Sequence, residues 1–147
     1  MAAIRRATVS WVGDLASGSG ELAAGTSHAF TALPVTWASR TEDADGRTSP
    51  EELLAAAHAS CFSMAFSSEL TKAGSPPKSL SVQAEVTADR VDGKLTVISS
   101  KLTVTGRAPG LDEERFRALA EQAKDGCPIS RALAGNVALS VEASLER

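Results

Sequence analysis

The sequence predicts an α+β domain, built in the order strands, long helix, hairpin, helix, strand. Three observations carry that expectation. Apolar and polar residues alternate through Ala7, Val9 and Trp11, through Leu80, Val82, Ala84, Val86 and Ala88, and through Val137, Leu139, Val141, Ala143 and Leu145, the period of half-buried strands. One Ala- and Leu-rich stretch from Pro50 to about Lys72 has the length of a helix rather than a strand. Asp92-Gly93 sits between two alternating runs as a two-residue hairpin turn, which demands antiparallel pairing.

The elements follow in order. Gly13, Gly18, Gly20 and Gly25 punctuate the stretch before Phe30 and make an opening β-hairpin with a soft turn. Trp37-Ala38-Ser39-Arg40 reads as a short extended piece, and the polar run from Thr41 to Ser49 as a loop. Ser49 is a good N-cap for the long helix, Pro50 suits its first position, and Glu52 completes a capping box; Gly74 and Pro76-Pro77 end it. The phase of the hairpin's return strand slips between Ile98 and Ser100, as at a bulge. Asp112 caps a second helix through Lys124, with Phe116, Leu119, Ala120 and Ala123 inward and Gly126 as its end. Cys127-Pro128 opens a short helical turn that Gly135 closes,.

With 147 residues the chain reads as one domain, 1–147, large enough to bury a core without disulfide or metal staples. Fifteen Lys and Arg against eighteen Asp and Glu leave a net charge of −3, and no basic stripe follows a phosphate backbone, which argues against nucleic acid. No apolar run approaches a membrane span of about 18 residues, so the expectation is a cytoplasmic protein. Two cysteines without further Cys or His at zinc spacing are free or catalytic in a reducing compartment rather than structural.

Cys61 lies mid-helix on a stripe with Leu54, Ala57, Met64 and Ala65, where a plain packing role is the alternative to reactivity. Cys127 sits at a helix start, where unpaired N–H groups favour a thiolate. Desolvation alone raises a thiol pKa, so a reactive thiolate needs a positive partner; Arg40 is the best candidate, and Glu51 can orient it through a bidentate pair. Glu51 and Cys61 are ten residues apart on one helix, about 15 Å of rise. If both serve one site, two antiparallel copies of the helix crossing at a twofold axis would bring Glu51 of one subunit to Cys61 of the other, which implies a homodimer. His58 reads as a polar group lining the pocket rather than a metal ligand, because His58 and Cys61 supply only two of the four ligands zinc needs. Trp37, Phe62 and Phe66 read mainly as core.

Residues 49 to 65, SPEELLAAAHASCFSMA, resemble the N-P-E-E-L…A-A-H-A-A-C-F-S-M-A segment of the OsmC proteins in the OsmC/Ohr superfamily. Residues 123 to 130, AKDGCPIS, are similar to the second motif of that family, A-K-x-G-C-P-V-S. The Ser39-Arg40 pair and the setting of His58 favour the OsmC branch. The resemblance implies an antiparallel sheet wrapped around a long central helix, in an intertwined homodimer with interfacial sites. It also implies a thiol peroxidase acting on organic hydroperoxides and more slowly on hydrogen peroxide. In that reading Cys61 is the nucleophile, Cys127 the resolving thiol that forms a disulfide with it, Arg40 the group that lowers the Cys61 pKa, and Glu51 its holder. No cofactor or metal is implied; the disulfide needs a dithiol reductant, for which a lipoylated protein is one candidate. A redox-sensing or apolar-ligand-binding dimer on the same scaffold is the alternative.

Overall fold

The alternation at the start of the chain becomes a hairpin in the computed structural model, which describes residues 1–147. Ala7–Val12 (β1) and Ser19–Ala24 (β2) pair antiparallel, and Leu33–Val35 (β3) adds to β2. The turn is held by Asp14, whose Oδ1 accepts from the Ser17 N–H at 2.8 Å. These strands, a short helix and the first turn of a long one form one unit, Met1–Leu53; the rest of the chain, Leu54–Arg147, forms a second.

The piece expected as extended, Trp37 to Arg40, is instead a helix, Trp37–Thr41 (α1). Thr36 and Ser39 cap it reciprocally: the Ser39 N–H donates to Thr36 Oγ1 and the Thr36 N–H to Ser39 Oγ, both at 3.0 Å. Five residues do not make a stable helix in isolation, so this cap decides the conformation. The long helix Pro50–Lys72 (α2) starts where expected, with Ser49 Oγ accepting from the Glu52 N–H at 3.1 Å. The return half of the expected capping box is absent, because the Glu52 carboxylate takes the Thr48 hydroxyl at 2.8 Å.

In the second unit Ser79–Val91 (β4) and Lys94–Arg107 (β5) form the expected hairpin. Asp92 and Gly93, at φ 50° and 78°, supply the two positive values that such a turn requires. The register slips where Thr87 pairs Ser99 but Ala88 pairs Val97, so Ile98 is the extra residue of the bulge. Glu113–Gly126 (α3) is capped by Asp112, and Pro128–Leu133 (α4) follows. Gly126 stays helical rather than left-handed. What ends α3 is Pro128, which forces the preceding Cys127 out of the helical region, to φ −64° and ψ 124°,.

The last strand, Ala138–Leu145 (β6), lies parallel to β5. The sheet β4-β5-β6 is therefore mixed, not wholly antiparallel: the connection through α3 and α4 is long enough for the crossover that parallel pairing requires. Its core joins Phe62, Phe66 and Leu70 of α2 to Leu102 and Val104 of β5 and Phe116 of α3. Phe66 stacks between Phe62 and Phe116, at ring separations of 5.4 and 4.9 Å. The buried stripe of α2 is thus His58, Phe62, Phe66 and Leu70, a regular i, i+4 row. The stripe expected through Cys61 and Met64 lies beside it, with Cys61 half-buried and Met64 73% exposed. Alanine on every side of α2 hides the difference, and the aromatic residues settle it. No helix is long and apolar enough to cross a membrane.

Candidate active site

In the first unit α1 presents Arg40. Ser39 is buried and its hydroxyl lies 2.8 Å from the Thr48 carbonyl oxygen, which ties α1 to the loop before α2. Arg40 reaches Glu51 in the first turn of α2: Nε and Nη2 lie 2.9 and 2.8 Å from the same oxygen, Oε1. The pair is therefore not the bidentate fork expected. Glu51 Oε2 is buried without a hydrogen-bond partner. The guanidinium also lies over Trp37, 5.8 Å from the ring centroid, within cation–π range. The Arg40 side chain is 31% exposed and that of Glu51 12%, and the ion pair fixes where the positive charge points.

Arg40 forms part of the wall of a cleft of about 380 Å³ whose other walls include Val9, Trp11, Leu22, Val35 and Trp37. Trp37 therefore lines a cleft instead of joining the core. Trp11 faces Gly20 across the strand pair, and a Cβ there would come within 2.9 Å of the indole. Glycine at that position lets the ring lie close to β2.

The second unit holds the cysteines. Cys61 is half-buried and Cys127 fully buried, and both are free thiols. Burial is the main influence on Cys61 and pushes its thiol pKa up; the Ile129 backbone N–H opposes it, and the neighbouring Cys127 thiol adds to the rise. Ile129 is the second residue of α4, so one amide of that helix start serves Cys61, where the sequence suggested such amides for Cys127. The four predicted residues thus form two pairs: Arg40 with Glu51 in one unit, Cys61 with Cys127 in the other.

His58 is wholly buried, with Nδ1 2.6 Å from Ser100 Oγ and Nε2 2.8 Å from Ser130 Oγ. Burial holds its pKa below the ordinary imidazole value, so the ring is neutral at pH 7, one nitrogen donating and the other accepting. It is a cross-link inside the fold rather than a group lining an open site. Ser100 and Ser130 carry no signal of their own in the sequence, although Ser130 closes the second cysteine motif. No group of three or more His, Cys, Asp or Glu side chains is gathered where a metal could bind.

The family of OsmC-like proteins matches residues 42–142. Peroxiredoxin OsmC of Escherichia coli is 36% identical over 132 residues, covering 90% of this chain and 91% of that protein. Organic hydroperoxide resistance protein-like 1 of Staphylococcus epidermidis is 35% identical over 102 residues, covering 65% and 69%. Among solved structures, an organic hydroperoxide resistance protein from Elizabethkingia anophelis superposes with a TM-score of 0.75 at 21% identity, over 99% of this chain and all of that one, a likeness of fold. Both cysteine motifs fall inside the matched residues, and the chain belongs to the OsmC-like protein family.

Proposed function

We propose that the protein is a cysteine-based peroxidase that reduces organic hydroperoxides, and hydrogen peroxide more slowly, to alcohol and water. The observation that carries this reading is the pairing of a half-buried thiol, Cys61, with a fully buried neighbouring one, Cys127. The Cys61 thiolate attacks the terminal oxygen of the hydroperoxide, the O–O bond breaks, and the alkoxide leaves and takes up a proton. Cys61 is then a sulfenic acid. Cys127 gives up its proton and attacks the Cys61 sulfur; hydroxide leaves as water, and a disulfide forms. An external dithiol supplies two electrons and two protons to restore both thiols.

Arg40, held by Glu51, is the cation for this chemistry. It would favour the Cys61 thiolate and the negative charge on the departing oxygen. Its place on the wall of an apolar cleft suits a hydroperoxide whose organic group lies against Trp11, Val35 and Trp37. Glu51 and Cys61 are separated by about 15 Å of rise along α2,, so the arginine would serve Cys61 of a second copy in a homodimer, each copy acting as one domain of 147 residues.

The test is the intact mass of the reduced protein before and after one equivalent of an organic hydroperoxide, with peptide mapping. Loss of two hydrogens and a Cys61–Cys127 cross-link is expected. Both thiols still titratable would overturn the reading. A redox-sensing role on the same scaffold would draw on the same two neighbouring thiols. Repeated turnover with a dithiol present separates the two, since a sensor oxidises once and stops.

A further inference from the structure

His58 stands three residues before Cys61 on α2, a spacing that puts two side chains on neighbouring parts of one helix surface. Its ring joins two other elements. Nδ1 meets Ser100 on the central strand β5, and Nε2 meets Ser130 in the first turn of α4, each serine almost wholly buried. That same turn of α4 carries Cys127 at its N-cap and the Ile129 N–H that acts on Cys61.

The short helix packs against the core through Cys127 and Ile129, but its polar ties are few. Six residues do not form a helix by themselves, and Cys127 makes no side-chain capping bond. Ser130 is the one residue of α4 whose side chain hydrogen-bonds to another element, and its partner is His58. The opposite ring nitrogen, Nδ1, is satisfied separately by Ser100 Oγ on β5 at 2.6 Å.

We propose that His58 is a positioning residue for the cysteine pair: by holding Ser130 it fixes the first turn of α4, and with it Cys127 and the Ile129 N–H, against Cys61. The role rests on the reading that Cys61 and Cys127 close a disulfide. His58 never touches the hydroperoxide in this scheme. It keeps the second thiol within reach of the first, and so governs closure rather than the initial oxidation.

The experiment uses an aromatic disulfide reagent that releases a coloured thiolate. Given one equivalent, the Cys61 thiolate attacks, expels the first coloured thiolate and becomes a mixed disulfide. Cys127 then loses its proton, attacks the Cys61 sulfur and expels the second. The second release reads the reach of Cys127 without any peroxide. Ser130→Ala and His58→Asn, which removes the group at Nε2, should slow it about tenfold, since small misplacements of reacting atoms cost factors of that order or more. His58→Gln restores an amide near the Nε2 position, and with Ser100→Ala it should stay within about threefold of wild type, because each keeps a partner for Ser130.

Every one of these changes disturbs a buried polar contact, so a merely structural role would slow all four alike. Equal slowing in all four, or wild-type rates in Ser130→Ala and His58→Asn, would overturn the proposal. Should His58→Asn not fold, the contrast between Ser130→Ala and Ser100→Ala still decides. A wild-type protein that hydroperoxide leaves untouched, with the contrast intact, sinks the peroxidase reading and leaves the positioning role standing.

Discussion

Two nitrogens of Arg40 converge on one oxygen of Glu51, at 2.9 and 2.8 Å, while the second carboxylate oxygen is buried and unpartnered. An uncompensated buried oxygen costs stability, and the two contacts to the other oxygen hold the guanidinium from one side. Arg40→Lys keeps the charge but loses the planar fork. The expected result is a fall of about tenfold or more in the rate of hydroperoxide reduction, with Tm little changed because the opposite charges remain paired. Arg40→Ala should also move the pH–rate profile of Cys61 oxidation to higher pH, because the cation that favours the thiolate is gone. A stopped-flow pH series measures both, and an unchanged profile would give the role to another arginine.

The roles proposed for the two thiols are separable. Cys61→Ser removes the proposed nucleophile, and peroxide consumption should cease. Cys127→Ser should still allow a single turnover and then hold Cys61 as a sulfenic acid, detectable by a dimedone adduct in the mass spectrum. Steady-state activity at the wild-type level in Cys61→Ser would end the assignment. Because Cys127 is fully buried, an alkylating reagent at neutral pH should modify Cys61 alone in the folded protein.

What the sequence makes legible is what neighbouring residues decide. The start of α2 rests on Ser49-Pro50, the β4–β5 turn on Asp92-Gly93, and the cap of α3 on Asp112, each a signal within a few positions. The pairing of Arg40 with Glu51, expected from the need of a thiolate for an oriented cation, is formed. Helix α1 is not legible, since five residues show no period and serine stands in the place of the usual glutamate in its capping box. Nor is the parallel register of β6, which depends on how α3 and α4 carry the chain back. The partners of His58 lie 42 and 72 residues away, and nothing local announces them.

His58 also makes stability depend on pH. Its folded pKa is depressed by burial, so below the ordinary imidazole value of about 6.5 the unfolded chain binds a proton that the folded one resists. The stabilisation it lends is complete above that value and declines as pH falls toward the folded pKa. Urea titrations at pH 7 and at pH 5 to 6 should show the wild type losing stability in that window, and His58→Gln, which cannot titrate, losing less. Equal losses would place the acid sensitivity in other groups.

The cleft beside Arg40 supplies the last prediction. Gly20 pairs with Trp11 across β1 and β2, and its φ is not positive, so alanine is excluded by space alone. Its Cβ would stand 2.9 Å from the indole and 3.1 Å from Val35 Cγ1, closer than carbon atoms normally approach. Trp11 is 41% exposed and can swing outward, at the loss of the 2.9 Å bond from its Nε1 to the Gly13 carbonyl. Gly20→Ala should therefore cost about 1 to 2 kcal/mol as a local overpacking and deform the apolar wall. With a bulky aromatic hydroperoxide KM should rise several-fold, whereas with hydrogen peroxide, which has no organic group to seat, it should stay the same. Parallel increases for both substrates would mean that the cleft does not hold the organic group.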